Sequence, residues 1–169
     1  MKLYLVGLLG SGKSVLGKKI SQSVQLPFID LDDRIETQEG MKVSEIFTVK
    51  GEAYFRSMEA AILREQSKAG EFVMATGGGT PCFFENMNFI NKTGISIFLH
   101  TPVKEIVRRL AGPQKKSRPL LADVSDDQLE QKLQEMLNKR LLFYEQAHFT
   151  VNGATASAWD IVQLVHTKK

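Results

Sequence analysis

The chain has 169 residues, 43% apolar and 24% charged, with a formal net charge of +3, a size and composition that suit one globular domain spanning residues 1–169 around one core. No apolar run approaches the ~20 residues that cross a bilayer, and Cys82, the single cysteine, excludes an intramolecular disulfide. The mild, interleaved positive charge points to a small anionic ligand rather than a nucleic acid, so neither nucleic acid nor membrane is expected as a partner, and a cytoplasmic monomer is.

In chain order, Lys2 to Val6 is a short apolar run ending at glycine and reads as a buried strand. The apolar stretch from Leu3 to Leu9 contains Gly7 and runs directly into Gly10-Ser11-Gly12-Lys13, which sets it apart from a leader sequence. Leu16, Ile20 and Val24 recur every four residues and mark one helix face. Leu26 to Asp30 reads as a second strand, Val43 to Phe47 as a short helix, and Gly51 to Lys68 as a longer helix stopped by Gly70. Phe72 to Ala75 is a third strand, running into Gly77-Gly78-Gly79, and Ile95 to Leu99 a fourth. Pro102 to Leu110 is a helix with proline at a tolerated first-turn position. Residues 112–124, rich in glycine, proline and bases, read as a loop. Ser125 with Gln128 forms a capping box for a helix reaching about Tyr144; His148 to Val151 is a fifth strand and Ala156 to Val165 a closing helix. Strands alternating with helices imply an α/β architecture with a mostly parallel sheet.

Gly7-Leu8-Leu9-Gly10-Ser11-Gly12-Lys13-Ser14 matches G-x-x-x-x-G-K-[ST] between a predicted strand and a predicted amphipathic helix. Glycines let the backbone wrap a phosphate, the helix adds its positive end, Lys13 reaches the β- and γ-phosphates and Ser14 ligates Mg²⁺. A plain glycine turn is the alternative, and the flanking elements argue against it.

Asp30-Leu31-Asp32-Asp33 closes the second strand. In an extended segment Asp30 and Asp32 point the same way, toward the ligand edge of a parallel sheet. One carboxylate would serve Mg²⁺ and the other a hydroxyl; a helix-capping role for Asp32 or Asp33 is equally open. Arg140 lies in the stripe Leu129, Leu133, Met136, Arg140, Tyr144, where a permanent charge calls for an anion, or else snorkels or pairs internally. Arg56 stands between Glu52 and Glu59 at helical spacing, which reads either as a surface ion pair or as Glu59 orienting Arg56 toward a ligand. Arg118, in Lys115-Lys116-Ser117-Arg118-Pro119, suits a basic lid or an ordinary solvated loop.

In shared order and spacing these motifs, with Phe55-Arg56-x-x-Glu59, Thr76-Gly77-Gly78-Gly79 and Arg118-Pro119-Leu120-Leu121, resemble the shikimate kinase family over nearly the whole chain. The resemblance implies a P-loop fold like that of the nucleoside monophosphate kinases, with five parallel strands and a mobile lid near 112–124. It implies transfer of the γ-phosphoryl of ATP to the 3-hydroxyl of shikimate, with Mg²⁺. By the same resemblance the nucleotide is held by Gly10, Ser11, Gly12, Lys13, Ser14, Val15, Arg109 and Arg118, with Arg109 over the adenine. Asp32, Arg56, Gly78, Gly79 and Arg140 bind shikimate, Ser14 and Asp30 serve the metal, and Lys13, Asp32 and Arg118 act in catalysis. Leu31 stands where the family usually has a small hydroxyl residue, and the Arg109 to Arg118 spacing is slightly long. A kinase for another hydroxy acid such as gluconate, or a nucleotide-binding switch, are the competing readings.

Overall fold

The computed structural model describes residues 1–111, 113–116 and 118–167. Five strands, β1 (Lys2–Val6), β2 (Phe28–Asp30), β3 (Phe72–Ala75), β4 (Ile95–His100) and β5 (Phe149–Asn152), form one sheet in the order β2-β3-β1-β4-β5, and every neighbouring pair is parallel. The central strand β1 is apolar on both faces because both faces are covered. Leu3 and Leu5 turn one way, with Val73, Ile97 and Leu99, onto Leu16 and Ile20 of α1 (Lys13–Val24) and Ile161 and Val165 of the closing helix Ala158–His166. Tyr4 and Val6 turn the other way, with Phe72, Met74 and Phe98, into a larger core. Three layers result.

The larger core is covered by α2 (Leu31–Glu39), α3 (Val43–Lys50), α4 (Glu52–Gln66), α5 (Asn86–Thr93), α6 (Val103–Leu110) and, beyond the short helix α7 (Pro113–Lys116), α8 (Asp126–Tyr144); the closing helix is α9. Tyr144 stacks on Phe98 at 5.0 Å between ring centres, pinning the end of α8 over β4.

Several boundaries differ from the sequence reading. β2 begins at Phe28, because Pro27 accepts a hydrogen bond from Val73 N–H but has no N–H to return. Asp32 is not in extended chain: the strand ends at Asp30, whose carboxylate caps α2 by accepting from Asp32 N–H at 3.1 Å. Pro102 is the N-cap of α6, one residue outside it. The capping box at Ser125 does not form; its side chain makes no cap hydrogen bond and instead bonds the Asp127 carboxylate. A 3₁₀ turn at Thr80–Cys82 and helix α5 fill a stretch to which the sequence reading assigned no element.

The segment 112–124 is not a plain loop. Residues 112 and 117 lie outside the described residues, but Pro113–Lys116 is helical and turns follow from 119 to 123. Lys115 Nζ donates to Val124 O at 2.7 Å and to Asp126 Oδ1 at 2.6 Å, tying the start of the segment to its end.

Candidate active site

All five strands point the same way, so the segments that follow β1, β2 and β3 gather at one edge of the sheet. They meet beside β1, where the connection from β1 runs to one side, to β2, and that from its neighbour β4 runs to the other, to β5, the switch point at which open α/β sheets bind ligands. After β1 the chain wraps through Gly7 to Gly12. Gly12 closes the loop at φ 99° as the N-cap of α1, a conformation that side chains resist. Ser11 N–H donates to Leu8 O, and Thr101 Oγ1 ties Ser11 O to the end of β4 at 2.9 Å. The amides at the start of α1 are therefore held in place, with the positive end of the helix behind them.

Lys13 is buried. Its ammonium donates to Gly7 O at 2.8 Å, Leu8 O at 2.9 Å and Ser11 Oγ at 3.3 Å, so it rests on its own loop at the cleft wall. Burial first, then the Arg118 charge, bring its pKa down to about 7, against the opposing pull of Asp32 and Asp30. A polyphosphate beside it would restore the charged form.

Across the cleft, Asp30 Oδ2 accepts from Ser14 Oγ at 2.6 Å, a hydroxyl and a carboxylate side by side at the phosphate loop. Asp32 is half-buried in the first turn of α2, and its pKa is pushed up to about 7, by burial first and then by the Glu59 and Asp30 charges, while Arg118 and Lys13 oppose the rise. Leu31 between them is fully buried in the larger core. It turns away from the cleft, so the departure from the family pattern falls on a packing position.

Arg56 on α4 is 5% exposed. Its Nη1 donates to Glu59 Oε2 at 3.0 Å, while Glu52 Oε1 lies at 3.4 Å from Nε and Nη2. Glu59 is wholly buried, and its other oxygen accepts from Thr80 Oγ1 at 2.6 Å; burial, the largest influence, raises its pKa. A Cβ on Gly79 would stand 2.5 Å from Arg56 Nη2 and 2.6 Å from Cζ, so only glycine lets the guanidinium lie flat against the backbone there. Tyr144 OH donates to Gly78 O at 2.5 Å, fixing the same glycine segment from α8. Arg140, one turn earlier, is half-buried, lines the same cleft and makes no ion pair with an acid among the described residues.

One cleft of about 530 Å³ brings together Gly10, Lys13, Ser14, Asp30, Asp32, Arg56, Gly78, Gly79, Arg118 and Arg140. Ser11, Gly12, Val15 and Arg109 do not line it. Ser11 is buried in the loop, Val15 is exposed on the first turn of α1, and Arg109 lies across the outer side of the loop, with Nη1 donating to Ser11 O at 3.1 Å and Nε to Glu105 Oε1 at 2.9 Å. The cleft also has walls to which the sequence motifs attach no role: Phe47, Phe55, Pro119 and Leu120 supply apolar surface, and Lys42 adds a cation. Phe47 and Phe55 pack against each other at 4.7 Å and carry the same apolar signal as core residues. Burial pushes the Cys82 thiol up to about 11, away from the thiolate form.

A parallel sheet of this order with a phosphate loop at its switch point defines a P-loop protein of the nucleoside-monophosphate-kinase-like fold. The family model described as shikimate kinase matches residues 9–168. The shikimate kinase of Bacteroides thetaiotaomicron is 41% identical over 153 residues, covering 90% of this chain and 87% of the relative. The crystal structure of shikimate kinase from that organism superposes with a TM-score of 0.87 at 38% identity, covering 99% of this chain and 96% of the other. Shikimate kinase from Acinetobacter baumannii in complex with shikimate gives 0.92 at 35% identity, covering 99% and 94%. The chain belongs to the shikimate kinase family.

Proposed function

We propose that the chain transfers the γ-phosphoryl group of ATP to the 3-hydroxyl of shikimate, giving shikimate 3-phosphate and ADP. The observation that carries this reading is the joining, in one cleft, of a phosphate loop, two carboxylates and three arginines. A nucleotide-binding switch has no use for Arg56 and Arg140 converging on an acceptor-sized space beside the loop.

The loop amides, Lys13 and Arg118 neutralise charge on the phosphates, the main contribution a protein makes to phosphoryl transfer. Arg109, on the loop's outer side, covers the nucleotide base in this reading. Arg56 and Arg140 hold the acceptor's carboxylate, Phe47 and Phe55 pack its ring, and Asp32 orients the attacking hydroxyl and accepts its proton as transfer proceeds. A carboxylate whose pKa stands near 7 suits that exchange. Binding at the carboxylate, remote from the reacting oxygen, aligns the hydroxyl with the γ-phosphate.

Mg²⁺ suits the oxygen pair of Ser14 Oγ and Asp30. Mg²⁺ typically uses one or two protein oxygens together with waters and substrate phosphates, which a single hydroxyl–carboxylate pair satisfies. Held there, it would supply charge neutralisation for the transferred phosphoryl group.

Coupled detection of ADP over a panel of hydroxy acids tests the acceptor. Shikimate is expected to stimulate release strongly and gluconate not to; equal stimulation by gluconate, or none by shikimate, refutes the assignment.

A further inference from the structure

Behind the cleft, Thr80, Asn86 and Arg64 extend the Arg56–Glu59 pair into a longer polar chain. Glu59 holds Arg56 with one oxygen and receives Thr80 Oγ1 with the other, at 3.0 and 2.6 Å. Thr80 O accepts from Asn86 Nδ2 at 2.9 Å, and Asn86 Oδ1 accepts from Arg64 Nη1 at 2.7 Å. Arg64 sits on α4 eight residues after Arg56, so the relay leaves α4, crosses the 3₁₀ turn and the start of α5, and returns to α4 roughly 12 Å away. Thr80 and Asn86 are fully buried. Every link is directional, and breaking one leaves a buried group unpaired.

The same relay grips a strained turn. Phe84 and Glu85 have φ of 49° and 54°, two consecutive side-chain-bearing residues in the left-handed region, and such conformations persist only where surroundings impose them. Arg64 Nη2 donates to Phe84 O at 2.8 Å, with its guanidinium 4.9 Å from the Phe89 ring. The turn seats the Phe83 ring 4.6 Å from the Arg56 guanidinium. Arg56 is thus fixed from two sides, by Glu59 through Thr80 and by Phe83 through the turn.

We propose that Thr80 and Asn86, backed by Arg64, are positioning residues for recognition of the acceptor's carboxylate, acting through Glu59 and Phe83 to aim Arg56. This rests on the shikimate reading of the cleft. None of the three lines the cleft, and their side-chain hydrogen bonds run to Glu59, Ala60, Thr80, Phe84 and each other and not to the phosphate loop, so their effect falls on the acceptor side.

The test compares steady-state kinetics of wild type, Thr80→Val, Thr80→Ser and Arg64→Lys, each checked by thermal melting. Thr80→Val keeps the shape and removes the hydroxyl. Its KM for shikimate is expected to rise about five- to tenfold, with kcat and KM for ATP within about twofold. Thr80→Ser restores the wild-type value. Arg64→Lys keeps the charge but loses the fork that spans Asn86 and Phe84, and is expected to raise the same KM about threefold. An unchanged shikimate KM in both Thr80→Val and Arg64→Lys, parallel rises for both substrates, or failure of serine to rescue overturns the proposal. Wild type that turns over no shikimate overturns the functional reading itself and the proposal with it, which separates the two failures.

Discussion

Replacing Asp32 by asparagine should make the protein more stable at neutral pH while disabling it. The Asp32 carboxyl has its pKa raised from 3.8 to about 7 in the folded chain, chiefly by burial and then by the Glu59 and Asp30 charges. An acid with a raised native pKa binds its proton more tightly when folded. Its ionisation therefore costs nothing to stability below about pH 3.8, and the penalty grows as pH rises until it is complete above about 7. A shift of about 3 units corresponds to a ceiling of about 4 kcal/mol. Asp32 is half-buried at a cleft wall, where water screens it, so about 1–2 kcal/mol is the expected realised cost. For a chain of this size that is a rise of roughly 3–6 °C in melting temperature for Asp32→Asn at pH 8. The two proteins should converge as the pH is lowered toward 4, where both side chains are neutral. Urea unfolding from pH 4 to 8 reads the difference directly. Shikimate-dependent turnover of the variant should fall by about 10²-fold or more. A variant less stable than wild type at pH 8, or a stability difference that does not change with pH, would refute the reasoning.

Other outcomes follow from the same geometry. Arg118→Ala should lower turnover by about 10³-fold with small effect on shikimate KM, if it neutralises the transferred group as an arginine finger does; single-turnover kinetics would expose normal chemistry if it does not. Arg140→Ala should weaken shikimate by about 1.5–3 kcal/mol, and unchanged affinity by calorimetry would remove its role. Gly79→Ala places a Cβ 2.5–2.6 Å from the Arg56 guanidinium, so shikimate KM should rise steeply with ATP affinity retained; loss of both would point to general damage of the fold. Nucleotide plus shikimate should slow hydrogen exchange across 112–124, and no protection would count against a closing lid.

The sheet and the phosphate loop were legible in the sequence because their signals are local. An apolar run ending in glycine and the four-residue spacing of Leu16 and Ile20 need no tertiary information, and both cover the elements found. The two carboxylates line the cleft, but by a geometry other than strand alternation. Asp30 ends the strand by capping α2, so Asp32 reaches the cleft from a helical turn and not by strand alternation. Arg56 and Glu59 could be paired from helical spacing, yet their burial could not, because it depends on Gly79 and Phe83 approaching from elsewhere in the chain. The Thr80 and Asn86 relay lay beyond reach for the same reason: Thr80 meets Glu59 across 21 residues, with no periodic mark on either. That Phe47 and Phe55 form a cleft wall was hidden differently, since an apolar residue on a cleft wall carries the same pattern as one in a core.

A crystal structure of the chain with ADP, Mg²⁺ and shikimate tests the joined cleft most directly. Shikimate is expected beside the phosphate loop, its carboxylate within hydrogen-bond reach of both Arg56 and Arg140 and its 3-hydroxyl turned to Asp32. Shikimate bound elsewhere, or both guanidinium groups turned from the cleft onto internal acids, would contradict the acceptor assignment and leave nucleotide binding alone.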